Sequence, residues 1–202
     1  MPNTLTISIS SELQNVFRKQ AEQKIAAEKW DGRHTQVKIN NFLNCWISEE
    51  AFKQLLIQHK AWFRYRGLYF GDAQGAGADF TLRLEEKKEG KEEEKEISLG
   101  IRSINELSWK KFSSVPYPND RFEEEQEKIA DFHVVCSNQN GQDNQEIQVN
   151  FLGLISKENL LQALEHSEKR YSPANQEYFR TIPLERFSLV NLEKFFDIIE
   201  KV

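Results

Sequence analysis

Gly71 to Ser103 reads GDAQGAGADF, then TLRLEEKKEGKEEEKE, then ISLGIRS, and the alternation at its two ends decides the fold. The glycine-rich start lacks the GxxxxGK[ST] spacing of a phosphate loop and no helical pattern follows it, so it reads as a tight chain reversal. Ala78 to Leu84 then reads as a strand that begins at Asp79. Glu85 to Glu96 holds seven acids, four lysines, one glycine and no apolar residue, the composition of a solvated hairpin tip. Ile97, Leu99 and Ile101 alternate with Ser98, Gly100 and Arg102, which restores a second strand with one polar face.

Upstream, Trp62 to Phe70 (WFRYRGLYF) is aromatic and β-prone and makes a first strand, with Arg64 and Arg66 on one side of it. A helix is expected before it, capped by Ser48, with Glu49 and Glu50 in the first turn where the helix dipole favours acids. Earlier still come a strand at Thr4 to Ile9, an amphipathic helix from a capping box at Ser11 to about Trp30, and a strand at Thr35 to Ile39. Downstream, Ser103 to Ser114 reads as an irregular crossing that carries Trp109, Lys110 and Lys111. A helix starts at Asn119 or Asp120 with capping-box form through Glu123, and strands follow at Phe132 to Cys136 and from Ile147. A helix capped by Ser156, an irregular stretch from Tyr171 to Phe179 and an amphipathic helix from Leu189 to Ile199 close the chain.

The 202 residues, 39% of them hydrophobic, are enough for one compact core, and a mean hydropathy of −0.67 gives a well-solvated surface. No apolar run is long enough to cross a bilayer and the N-terminus lacks a secretory pattern, so no membrane partner and a cytoplasmic location are expected. Cys45 and Cys136 are far apart with no CxxC companion and read as buried small hydrophobes. His34, His59, His133 and His166 lie in different segments without GxSxG or HExxH patterns, which gives acyl transfer and zinc hydrolysis little support. His133, in an apolar strand, reads as a satisfied core imidazole. The net charge of −5 argues against a general basic coat and leaves room for a local basic patch.

The element order from Ser48 to Phe187 gives an α/β protein with a mixed central sheet flanked by helices. Together with Ala78-Asp79, Leu99 to Ser103, Ile129 to Cys136 (IADFHVVC) and Val149 to Leu160 (VNFLGLISKENL), it resembles the restriction-endonuclease-like fold of the PD-(D/E)XK nuclease superfamily. The resemblance implies an N-terminal helical extension over residues 1–47 and a nuclease-like core over 48–202. It implies Asp79 and the Ile101 backbone carbonyl as ligands of Mg²⁺, completed by a helical glutamate among Glu49, Glu50, Glu123 and Glu124. It further implies DNA as partner and a homodimer for cleaving both strands.

Two positions depart from that pattern: Gly100 stands where the family has an acid, and Arg102 where it has a lysine. Arg102 keeps the charge and can clamp a phosphate, but its pKa above about 12 prevents it from taking a proton from water. Asp79 and Arg102 are thus the candidate catalytic pair, or alternatively an ion pair across the hairpin. Arg64, Arg66, Lys110, Lys111 and Arg121 are the candidate phosphate contacts. Three readings stay open: a metal-dependent endonuclease, a catalytically inactive nucleic-acid-binding or assembly module of the same fold, and an interaction domain displaying Trp109 and Tyr117.

Overall fold

A computed structural model describes residues 5–28, 32–68, 78–88, 91–138, 145–199 and 201. The glycine-rich turn at 71–77 and the loop at 139–144 lie outside the described residues.

The central feature is a six-stranded mixed sheet with strand order β1-β7-β6-β4-β3-β2, which bears out the α/β reading. Its strands are β1 (Thr6–Ile9), β2 (Phe63–Tyr65), β3 (Phe80–Lys88), β4 (Lys91–Asn105), β6 (Phe132–Asn138) and β7 (Ile147–Ser156). Only β4 and β6 pair in parallel; every other neighbour is antiparallel. The β3–β4 ladder does not end at the acidic run but continues to Lys88↔Lys91, because backbone pairing needs no apolar side chain to extend a hairpin.

One face of the sheet is covered by α1 (Ser11–Ala27), α2 (Thr35–Gln58) and α6 (Leu189–Ile198), in a core built around Trp46, Phe52, Phe80, Phe151 and Phe196. The other face carries α5 (Lys157–Glu165) and a second, three-stranded sheet in the order β5-β9-β8, with Tyr117, Val135, Leu160 and Ile182 between them. Its strands are β5 (Ser114–Pro118), β8 (Arg170–Ser172) and β9 (Glu177–Pro183). The irregular reading of Tyr171 to Phe179 is thereby corrected to a hairpin, whose pairs are Arg170↔Phe179, Tyr171↔Tyr178 and Ser172↔Glu177. Pro116 and Pro118 hid β5; they fit because β5 is an edge strand, where a missing N–H costs no ladder bond.

The largest correction concerns α2. The expected strand at Thr35 to Ile39 is the first part of one 24-residue helix that continues through Asn40, Asn41 and Asn44 to Gln58. Ile39, Leu43, Trp46, Ile47, Phe52, Leu55 and Leu56 recur at three- and four-residue spacing and are all buried, and that packing outweighs the weak helix propensity of the asparagines. Ser48 is therefore not a cap but a fully buried interior residue; His34 caps the helix, its Nδ1 accepting from the Gln36 amide at 3.2 Å. The boundary between residues 47 and 48 falls inside α2, and β1 is a strand of the main sheet, so residues 5–47 are built into the same core.

Smaller corrections follow the same logic. Ser10, not Ser11, caps α1, and the irregular crossing after β4 contains α3 (Glu106–Phe112), capped by Asn105. The helix α4 (Asn119–Glu123) has Pro118 at its cap position and no side-chain cap bond, so the expected capping box does not form. Ser156 caps α5 as expected, and Ser188 caps α6.

Candidate functional site

Asp79 is the residue from which the site is built. Its amide donates to the Leu99 carbonyl at 2.9 Å and its carbonyl accepts from the Arg66 amide at 3.0 Å, which fixes the start of β3 between β4 and the end of β2. The side chain accepts two more bonds, from the Ile101 amide at Oδ2 (2.6 Å) and from Arg66 Nη2 at Oδ1 (2.9 Å). The ion pair across this corner is thus with Arg66, while Arg102 contributes its charge without a bond to Asp79. Burial nonetheless dominates and pushes the Asp79 carboxyl up, against the Ile101 amide and the charges of Arg66 and Arg102. Ile101 engages Asp79 through its amide N–H.

The second acid comes from α2. With the helix starting at Thr35, Glu49 lies in its interior and is only 5% exposed, far from any first-turn dipole role. Tyr65, stacked on Phe80 with ring centroids 4.8 Å apart, donates its hydroxyl to Glu49 Oε2 at 2.8 Å. Burial and the nearby Asp79 charge push the Glu49 carboxyl up to about 8, with the Tyr65 bond and the Arg66 charge pulling the other way. Burial and the same acid push the Tyr65 hydroxyl up as well, so it stays a donor. Glu50, next in sequence, instead pairs with Lys53 at 2.7 Å on the same helix.

Arg102 lies two residues beyond Gly100 on the same face of β4, with its guanidinium 4.5 Å from the centre of the Tyr117 ring. Its buried Nε has no hydrogen-bond partner. Gly100 lies opposite His133 of β6, and a Cβ at residue 100 would stand 3.1 Å from His133 Cδ2. A side chain at residue 100 would therefore meet the imidazole of His133. His133 is fully buried, has neither ring nitrogen partnered among the described residues, and is held well below its usual pKa by burial and by the charges of Arg102 and Lys157. It is a core residue as expected, but an unsatisfied one.

Cys45 also borders this corner and corrects the buried-cysteine reading. Its residue is exposed, yet protein crowding and the charges of Glu49 and Asp79 push the thiol up to about 12, so it is protonated and a poor nucleophile at neutral pH. Cys136 is buried as expected.

The remaining candidates are dispersed. Arg64 pairs with Glu96 at 2.6 Å, Lys110 with Glu106 at 2.5 Å, and Arg121 with Glu125 at 3.2 Å, while Lys111 lies over the Phe112 ring at 5.1 Å. Glu123 is removed from the ligand candidates: Lys169, Asn119 and Arg180 hold it, and their bonds lower its carboxyl to about 2. Trp109 is half-buried and Tyr117 only 1% exposed, so neither displays an aromatic face; among the described residues Phe112, Tyr171 and Tyr178 do.

Glu49 was visible to sequence reasoning only as a name. The signal that finds it is the uninterrupted helical spacing from Ile39 to Leu56, which makes residue 49 interior to α2. Among the described residues no group of three or more His, Cys, Asp or Glu side chains is arranged to hold a metal. Two neighbouring carboxyl groups fit Mg²⁺ all the same, because that ion keeps several waters and takes one or two protein carboxylates; they do not fit zinc.

The chain matches no family model, no curated protein and no solved structure in the three comparisons made.

Proposed function

We propose that the chain is a divergent restriction-endonuclease-like protein that acts on the phosphodiester backbone of DNA at the Glu49–Asp79 corner. The observation that carries this reading is the convergence of Glu49 and Asp79, from α2 and the start of β3, close enough for one charge to raise the other carboxyl. Two acids brought together in a partly buried corner are unfavourable to each other and favourable to a cation.

Mg²⁺, when bound, would polarise the scissile phosphate and activate a water. Each protein group has a definite part. Glu49 releases its proton to solvent as positive charge enters the corner, and the Tyr65 hydroxyl keeps the freed oxygen oriented. Arg66 and the Ile101 amide hold the Asp79 carboxylate in place. Arg102, with its guanidinium 4.5 Å from the centre of the Tyr117 ring, offers planar donors to a phosphate and stabilises the negative charge that develops on it. Arg102 cannot act as a base, so the proton of the attacking water would pass to bulk solvent, its loss eased by Mg²⁺ when bound.

A second reading keeps the fold and DNA binding without turnover. It draws on two observations: the His133 ring fills the space beside Gly100, and both Asp79 oxygens already accept hydrogen bonds. Incubating the pure protein with supercoiled DNA and Mg²⁺ or Mn²⁺ separates the two. Cleavage lost in both Asp79→Ala and Glu49→Gln supports the first; salt-sensitive binding without cleavage supports the second; neither cleavage nor binding removes both.

A further inference from the structure

A separate groove of about 350 Å³ runs between the starts of β6 and α5, the end of β7, and α6, and it includes none of the residues of the carboxylate corner. Its floor is apolar, formed by Phe132, Leu154, Phe195 and Ile198, with the Phe132 and Phe195 rings 5.5 Å apart. Its rim carries Arg186 and Lys194 and, among the described residues, no acidic side chain. Both cations are exposed, and neither has an ion pair or hydrogen bond among the described residues, although ion pairs are frequent elsewhere in this chain of net charge −5.

The local fold explains why the groove exists. Leu154 and Ser188 exchange backbone bonds of 3.0 and 3.1 Å, which presses the chain leading into α6 against β7. Gly153, at φ +153°, permits this contact, since a Cβ there would lie 2.7 Å from the Ser188 nitrogen. The same contact brings the first turns of two helices to one rim, where Asn159 of α5 and Asn191 of α6 line the groove beside Ser156. Helix starts carry partial positive charge, and it adds to that of the two free cations.

From this combination we propose that the groove binds a small amphiphilic anion: a phosphate or carboxylate head held by Arg186 and Lys194, with a flat or aliphatic body on the phenylalanine floor. The volume lies at the lower end of the roughly 300 to 1,000 Å³ of small-molecule pockets, which suits a mononucleotide or a medium-chain carboxylate. The proposal does not depend on the activity of the Glu49–Asp79 corner.

Calorimetric titration of the full chain with adenosine monophosphate, decanoate and inorganic phosphate tests it, and the first two probes tell the possible bodies apart. Saturable binding of either amphiphile is expected, with inorganic phosphate weaker. Lys194→Glu and Arg186→Glu, both on exposed side chains, are expected to weaken it by about tenfold or more. Ile198→Trp, which fills the groove without touching the charges, is expected to block it. No saturable binding of either amphiphile, or binding unchanged in all three variants, would overturn the proposal.

Discussion

The Tyr65 hydroxyl donates to Glu49 Oε2 at 2.8 Å, and this bond joins the end of β2, next to Arg66, to the helix that carries the second acid of the corner. It leaves a carboxyl whose pKa is raised to about 8 beside one that is also raised, with one phenol and one guanidinium as their neighbours. Such a pair is costly to ionise fully. Its chemistry is therefore set by whether a cation is present, and several consequences can be measured.

The first is the dependence of stability on pH. Glu49 is raised in the folded chain, so the folded state binds more protons than the unfolded one between about pH 4.5 and pH 8, and stability falls as pH rises through that window. Glu49→Gln keeps a neutral hydrogen-bonding group. Its melting temperature is expected to match the parent near pH 5 and to exceed it near pH 9, by an amount equivalent to about 1 kcal/mol or more. Thermal melts across that range check the crossover.

His133 gives the opposite slope on the acid side. Its folded pKa lies well below 6.5, so the unfolded state takes up the extra proton and stability is lost as pH falls below about 6.5. His133→Leu is expected to flatten that loss between about pH 7 and pH 5. A chemical-denaturation series in which the acid-side loss is unchanged would contradict it.

Gly153 is needed for its backbone. Gly153→Ala places a Cβ 2.7 Å from the Ser188 nitrogen and at a φ that side chains rarely adopt, so the junction of β7 and α6 must open. A loss of about 2 kcal/mol or more is expected in urea denaturation, against less than about 0.5 kcal/mol for a surface substitution such as Lys19→Ala.

Arg102 is expected to meet phosphate directly. Arg102→Ala should lower the slope of log affinity against log salt for duplex DNA by about 0.9, the release of one counterion. Arg102→Lys should restore the slope in part and the affinity less, because an ammonium lacks the guanidinium's fixed fork of donors. Fluorescence anisotropy over a salt series measures both quantities.

Much of the main sheet could be read in the sequence, because Ile97, Leu99 and Ile101 alternate with polar residues and every one of those apolar positions is buried. Asp79 could be placed for the same reason, at the point where the alternation of β3 begins. Glu49 could not. Asn40, Asn41 and Asn44 carry a local preference for turns, and Ser48 looks like a cap, while the packing of Ile39, Leu43 and Trp46 that overrides both is a tertiary effect. The second sheet was hidden by prolines at an edge, and by strands too short to show a period. The contact between Gly100 and the His133 ring was equally out of reach, since it depends on the register Gly100↔His133 between strands about 30 residues apart in the chain.

The most direct test of the carboxylate corner is Mn²⁺ binding followed by electron paramagnetic resonance, in the parent chain, Glu49→Gln and Asp79→Asn, at about pH 6.5 and about pH 8.5. The account requires one saturable ion per chain, bound more tightly at the higher pH because Glu49 has shed its proton, and lost in both variants. No binding in the parent, or equal binding in parent and variants, would contradict it.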